Sequence, residues 1–271
     1  MLAADEVGSH ALLQRLWSLP GLEVYHEGWT LEQRGVPLAN LRHYAGDWLA
    51  HYGRLSQPQL GELAAWGAAQ QEALLSEWSR PLFFRLLMPW LSLYILYDRV
   101  LPLTALQLVQ DPQGRPVLGM ADLPCVVGAA SAANTVPPRA LVEQLLQPCV
   151  QTLSQVLSCR ARVLWGNAGS YWQWWVHADH LAALIAALPP AEQASARLRR
   201  QQAQACCDEA TWPSLPGGRN PLYQAMRFRG TPPKAVRRVC CQRYQLPGLA
   251  MCDYCPSLLA PARRPARSST P

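Results

Sequence analysis

Charge is scarce in this chain. Only 15% of its 271 residues are charged and 50% are hydrophobic, a balance that excludes a disordered chain. Long apolar runs are missing too. The longest uncharged, strongly apolar stretch is the 12 residues from Leu86 to Tyr97, and it contains Pro89; a membrane-spanning helix needs about 20. Asp5 and Glu6 precede the first basic residue, and no continuous apolar stretch follows them, unlike a secretory signal. The expected compartment is therefore the cytoplasm. No GxGxxG motif opens a helix after a strand and no GxxxxGK[ST] loop is present, so nicotinamide, flavin and nucleotide-phosphate sites are not expected. Internal repeats are absent, which excludes solenoids and propellers. Lysine is almost missing: Lys234 is the one exception among 24 basic residues, and the rest are arginine.

What is present is unevenly distributed. Residues 1–196 hold 11 basic and 15 acidic residues, a net of −4, whereas residues 197–271 hold 13 and 3, a net of +10. Such a concentration of arginine attracts an anion, an acidic partner, nucleic acid or a membrane surface. The length supports one large core or two modest ones.

Periodicity predicts a predominantly helical α+β protein. Ser9 can cap a short helix carrying Leu12, Leu13, Leu16 and Trp17. Pro37 is expected to open a second helix through Leu41, Trp48 and Leu49, and Ser56 with Pro58 a third that carries Leu60, Leu63, Ala64 and Gly67. Residues 81–97 are apolar all round and predict a buried helix pair broken near Pro89. Leu106, Leu108 and Val117 flank Asp111-Pro112-Gln113-Gly114, a turn sequence that predicts a β-hairpin. Helical spacing returns from Arg139 with a kink at Pro148, then over Tyr171 to Leu188, then over Ala191 to Cys206. Proline-rich, irregular sequence follows, and the tail 261–271 has a disordered composition.

Cysteine is the residue that carries chemistry. Of nine cysteines, Cys240, Cys241, Cys252 and Cys255 fall within 16 residues as CC-x10-C-x2-C. In a reducing compartment, four such thiols form a metal or redox site rather than disulfides. The CxxC half can wrap one metal, and Pro247-Gly248 supplies a turn that folds the two halves together. The adjacent pair is less suited to gripping one small ion. Neighbouring Cα atoms stand about 3.8 Å apart, and extended neighbours point their side chains opposite ways. A two-iron cluster relaxes that demand, so spacing favours [2Fe–2S] over one zinc ion while leaving both open.

The segment Arg237-Arg238-Val239-Cys240-Cys241-Gln242-Arg243-Tyr244, with Cys252-Asp253-Tyr254-Cys255-Pro256, resembles the C-terminal motif of the FhuF-type siderophore–iron reductases. Trp165-Gly166-Asn167 and the order of a helical body before a small cluster module are similar as well. The resemblance implies a cytoplasmic ferric-siderophore reductase. Cys240, Cys241, Cys252 and Cys255 would ligate a [2Fe–2S] cluster that passes single electrons to siderophore-bound Fe(III). Arg237, Arg238 and Arg243 would soften the cluster's negative charge, raise its potential and attract anions. The electrons would come from a separate ferredoxin or flavin reductase, since the chain shows no cofactor fingerprint of its own.

The corresponding organisation is a substrate-binding helical body over 1–225, a cluster module over 226–260 and a basic tail over 261–271. Arg263, Arg264 and Arg267 in that tail allow loose attachment to an anionic cytoplasmic membrane face, at about 1 kcal/mol per charge. Nucleic acid is not an expected partner, because the body is acidic and lacks a recognition motif. The alternative reading is a zinc-stabilised nucleic-acid- or protein-binding module without redox activity. Cys206-Cys207 has no CxxC partner and reads as a packing or surface pair, and Cys125, Cys149 and Cys159 read as small core residues. Trp172, Trp174, Trp175, His177 and His180 form the densest aromatic and imidazole cluster. Core packing with a polar edge is the simpler reading there, with Tyr171, Trp174, Ala178 and Leu181 on one stripe; a siderophore pocket or an extra iron ligand is the functional one.

Overall fold

The computed structural model describes residues 8–20, 22, 29–30, 35–101, 104, 106–120, 126–127, 137–157, 159–229 and 234–258. Cys125 and the basic tail with Arg263, Arg264 and Arg267 lie outside them. The described chain is predominantly helical, with small sheets, and is of the α+β class.

Helix α1 (Ser9–Trp17) buries Leu12, Leu13, Leu16 and Trp17. Ser9 is its first residue and is itself buried, so the cap is Gly8 rather than a serine hydroxyl. Strands β1 (Trp29–Thr30) and β2 (Val36–Pro37) follow. Pro37 ends β2 and, as expected, opens the helical segment: it caps a 3-10 turn (Leu38–Asn40) that runs into α2 (Leu41–Ser56), which turns the i, i+4 row Leu41, Ala45, Leu49 and Gly53 inward. Ser56 closes α2 by donating its hydroxyl to the Tyr52 carbonyl at 2.7 Å. The predicted third helix is replaced by two 3-10 turns, Pro58–Leu60 and Leu63–Ala65. Between them Gly61 adopts φ 68°, a left-handed conformation that no right-handed helix contains.

The predicted helix pair is one helix. α3 (Ala68–Tyr97) runs 30 residues straight through Pro81 and Pro89. An interior proline costs a helix about 3 kcal/mol. Against that, Leu74, Leu75, Trp78, Leu82, Phe83, Leu86 and Leu87 are all completely buried, each stabilising by about 1.5–3 kcal/mol. Packing on every side of α3 therefore outweighs the two lost backbone hydrogen bonds. The helix stops at Asp98, which turns left-handed at φ 53°.

Strands β3 (Arg99–Val100), β4 (Leu106–Gln110), β5 (Pro116–Met120) and β6 (Val126–Val127) come next. The β4–β5 hairpin forms where the turn sequence predicts it. Asp111 Oδ1 accepts from the Gln113 and Arg115 amides at 2.9 and 2.8 Å. One sheet has the order β1-β5-β4-β2, with β1 parallel to β5 and the other pairs antiparallel; β3 pairs separately with β6. Trp78 Nε1 donates to the Gly114 carbonyl at 3.2 Å, which fastens the hairpin turn to α3.

Helices α4 (Pro137–Leu141) and α5 (Gln147–Val156) are joined by a π turn over Val142–Leu146. The kink expected at Pro148 takes this form: the wider turn absorbs the disruption that proline brings to the ladder. The single helix predicted over Tyr171 to Leu188 is two, α6 (Ala161–His177) and α7 (Asp179–Ala186), separated by an extended Ala178. Arg200 Nε and Gln204 Nε2, both on α8 (Pro190–Asp208), donate to the Val176 carbonyl at 2.7 and 3.0 Å, satisfying a backbone group freed at the end of α6. The antiparallel pair β7 (Met226–Arg229) and β8 (Lys234–Arg237) leads into the last cysteines. The core gathers round α3, with α6, α8, α1 and α2 packed on it. Among the described residues no helix is long and apolar enough to cross a membrane.

Candidate metal centre

Helix α6 is built to let the C-terminal segment come close. Gly166 and Gly169 lie one turn apart, and a methyl group on them would stand 3.0 Å from Cβ of Val239 and 2.7 Å from Cβ of Ala225. The chain on either side of the β7–β8 pair therefore lies directly on the helix. From there the Arg237 amide donates to the Tyr254 carbonyl at 2.8 Å, which ties the CxxC knuckle to β8. Within the ten-residue gap Leu246 is buried and Gly248 turns the chain at φ 76°, so the two cysteine halves fold back on each other as the Pro247-Gly248 turn predicts.

The four thiols meet in twos. Sγ of Cys240 lies 3.8 Å from Sγ of Cys255, and Sγ of Cys241 lies 3.8 Å from Sγ of Cys252. Gln242, directly after the adjacent pair, is left-handed at φ 60°, and its amide donates to Cys240 Sγ at 3.3 Å. Cys241 and Cys255 are buried, while Cys240 and Cys252 are half-buried. Among the described residues no three His, Cys, Asp or Glu side chains converge as ligands for a single ion. Two thiolates on one tetrahedral metal with bonds of about 2.3 Å are separated by about 3.8 Å. The donor set therefore fits a binuclear thiolate group in which each metal takes one pair.

The thiols are electrostatically unequal. The hydrogen bond with Cys252 holds Cys241 down to about 5 against its burial, with help from the Arg243 amide and the charges of Arg237 and Arg80. Cys252 is pushed up by the same contact and by burial. Burial pushes Cys240 up to about 11. Elsewhere burial raises Cys149, Cys159 and Cys206 to about 12 and Cys207 well above its ordinary value. All four are buried and belong to the packing, as the sequence suggests.

Two arginine charges act on the thiols, Arg237 and Arg80 on Cys241 and Arg237 on Cys252. Arg237 is buried and donates from Nη2 to Oδ1 of the buried Asn167. Asn167 Nδ2 in turn donates to the Ser76 carbonyl at 2.9 Å, Ser79 Oγ at 2.9 Å and Ser76 Oγ at 3.1 Å. Arg80 Nη1 binds Glu77 at 3.0 Å, and Arg243 Nε faces the same carboxylate at 3.7 Å. The Nε atoms of Arg80, Arg237 and Arg243 are buried without a hydrogen-bond partner. Orphaned donors beside thiols suit an anionic ligand set, because buried polar groups otherwise carry an uncompensated desolvation cost. Arg238 is placed differently. It is exposed, its Nη1 donates to the Tyr223 carbonyl at 2.6 Å, and it lines a separate cavity with Arg162 and Trp165.

A half-open cavity of about 260 Å³ adjoins Cys252. Arg80 and Arg237 supply its cations, and Phe84, Tyr171, Trp174 and Tyr254 supply aromatic walls. Phe84 and Tyr171 pack edge to face at 5.3 Å between centroids. No family model matches this chain, and no curated protein does either.

The tryptophan–histidine cluster divides between the core and the surface. Trp172 and Trp175 are buried in the core, whereas Trp174 is 47% exposed and turns to the cavity beside Cys252. The buried stripe is thus Trp172, Trp175 and Val176, not Tyr171 and Trp174, because Gly166 and Gly169 turn the other face of α6 to the C-terminal segment. His177 is exposed, and the His180 ring lies tilted beside Trp175, 6.3 Å between centroids. Arg80 and Glu77 escaped the sequence reading, since they lie on α3 far from the cysteines in the chain. The available signal was weak: they are two of the four charged residues of α3, with Glu72 and Arg85.

Proposed function

We propose that this protein is a ferric-siderophore reductase working in a reducing compartment, with a [2Fe–2S] centre held by Cys240, Cys241, Cys252 and Cys255. The observation that carries the reading is the pairwise approach of the four thiols at 3.8 Å, and the resemblance of the CC-x10-C-x2-C segment adds to it. When bound, such a centre supplies electrons singly, and one electron converts chelated Fe(III) to Fe(II), which grips hard anionic oxygens far more weakly. The electron is replaced from a separate ferredoxin or flavin reductase.

The chain's own residues do the rest. Cys241, held low, offers a ready thiolate, while Asn167 fixes Arg237 beside it. Arg80, Arg237 and Arg243 counter the negative charge of four thiolates and favour the added electron. The cavity beside Cys252 gives a chelate a place to approach a ligand sulfur. Electron transfer requires no general acid or base.

Anaerobic purification followed by iron and acid-labile sulfide analysis, with EPR before and after dithionite, tests this. Two irons, two sulfides and a signal that appears on reduction are expected. The signal should then disappear as ferric siderophore is added and ferrous iron is released. A colourless protein with one zinc and no sulfide would overturn the reading in favour of a structural zinc module.

A further inference from the structure

A second cavity, of about 180 Å³, opens on the first turns of α6, between Arg162 and Trp165 on the helix and Pro221, Arg238 and Val239 on the chain that crosses it. The cavity beside Cys252 draws instead on Ser170, Tyr171 and Trp174, further along the same helix, and the two share no residue. The contacts of Val239 on Gly166 and of Ala225 on Gly169 fall between the two sets. Val239 directly precedes Cys240, at a Cα spacing of about 3.8 Å, and Cys240 is half-buried like Cys252. The centre is thus approached twice, once beside Cys252 and once beside Cys240.

The second approach is cationic. Arg162 and Arg238 are exposed, and neither forms an ion pair among the described residues. Arg238 gives one hydrogen bond to the Tyr223 carbonyl, which steadies the side chain without neutralising it. Arg160, two residues before Arg162, is by contrast paired with Glu72. No carboxylate lines the cavity, and residues 226–258 carry six basic residues against Asp253 alone. Trp165, Pro221 and Val239 form an apolar floor between the two guanidinium groups, the make-up of a protein interface with arginine at its edge. The volume lies below the roughly 300 Å³ of pockets that enclose small ligands and suits a side chain of a docked protein. An electron donor must arrive quickly and leave again, which charge steering favours. We propose that this face docks an acidic one-electron donor protein, with one of its carboxylates between Arg162 and Arg238. One electron passes from the reduced donor to the oxidised centre on the Cys240 side, with no bond or proton moved, while the chelate meets the centre beside Cys252. The proposal rests on the reductase reading and gives its separate donor a surface.

An acidic [2Fe–2S] ferredoxin, reduced and mixed anaerobically with the full-length protein in a stopped-flow instrument, is the probe. Its rate of electron transfer should fall as salt rises. Arg162→Glu combined with Arg238→Glu should slow transfer at least tenfold at low salt, with iron and sulfide content and complete reduction by dithionite unchanged. Arg162→Lys with Arg238→Lys should keep most of the native rate, since the charges stay. Arg42→Glu with Arg197→Glu makes the same change in net charge at exposed positions on α2 and α8, and should slow transfer less than threefold. A native rate in the first variant, or equal slowing in the control, overturns the proposal. Calorimetric titration with oxidised ferredoxin separates this reading from the one beneath it. A zinc protein that binds the ferredoxin, and loses that binding when Arg162 and Arg238 are reversed, supports the docking face and overturns the reductase. A [2Fe–2S] protein that reduces ferric siderophore, yet accepts electrons at the native rate after the reversal, overturns the docking face alone.

Discussion

Asn167, in the middle of α6, accepts a hydrogen bond from Arg237 at the end of β8, and both side chains are buried. With both hydrogens of its amide nitrogen given to Ser76 and Ser79 on α3, Asn167 joins three elements at one point next to the cysteines. Replacing Asn167 with leucine would strand a buried guanidinium. A loss of about 1–3 kcal/mol is expected, visible as a lower denaturation midpoint at unchanged m-value, together with reduced cluster occupancy.

Each of Cys240→Ser, Cys241→Ser, Cys252→Ser and Cys255→Ser should reduce or abolish cluster assembly, measured as iron and sulfide per chain. Cys206→Ser and Cys207→Ser should retain the full content, since those thiols are buried in α8. Loss of the cluster in either of the latter would refute the ligand assignment.

Gly169→Ala should cost more than Gly166→Ala. The first places a methyl 2.7 Å from Cβ of Ala225 and the second 3.0 Å from Cβ of Val239, and overpacking of this kind costs about 1–3 kcal/mol. Thermal unfolding of the two variants side by side checks the order.

Removing a positive charge near the thiols should make the centre harder to reduce. Arg243→Ala is expected to lower the midpoint potential by roughly tens of millivolts, followed in an EPR-monitored redox titration. Arg238→Ala should leave the potential unchanged, because Arg238 turns toward Tyr223 and a different cavity.

Acid should weaken the link between α3 and the segment before α6. Burial pushes the Glu72 carboxyl up, but hydrogen bonds from the Arg160 side chain and amide, and its charge, hold it below the ordinary carboxylate value. A depressed folded pKa gives stability that is present above the ordinary value and is lost as pH falls through the lower folded one. Because Arg160 is half exposed, the contribution is about 1 kcal/mol or less. The stability gap between the native protein and Glu72→Gln should therefore close as the solution is acidified.

The local chemistry of this chain is written in its sequence. The β4–β5 turn follows from Asp111 and Gly114, the stripe of α1 and the extent of α8 from spacing, and the four cysteines with their folding-back turn from Pro247-Gly248. These depend on residues close along the chain, where backbone preferences and short-range hydrogen bonds decide. Tertiary packing decided what propensity would have opposed. It carried α3 through Pro81 and Pro89, because burial on all sides exceeds the cost of two prolines. It also sorted neighbours that look alike in sequence: Trp174 outward and Trp175 inward, Arg237 to the thiols and Arg238 away, Cys240 to Cys255 and Cys241 to Cys252. Arg80 and Glu77 joined the centre only because α3 and α6 bring residues far apart in the chain to one face. Spacing cannot encode such a meeting, since it is fixed by which helices pack together and how closely their glycines let the backbone approach.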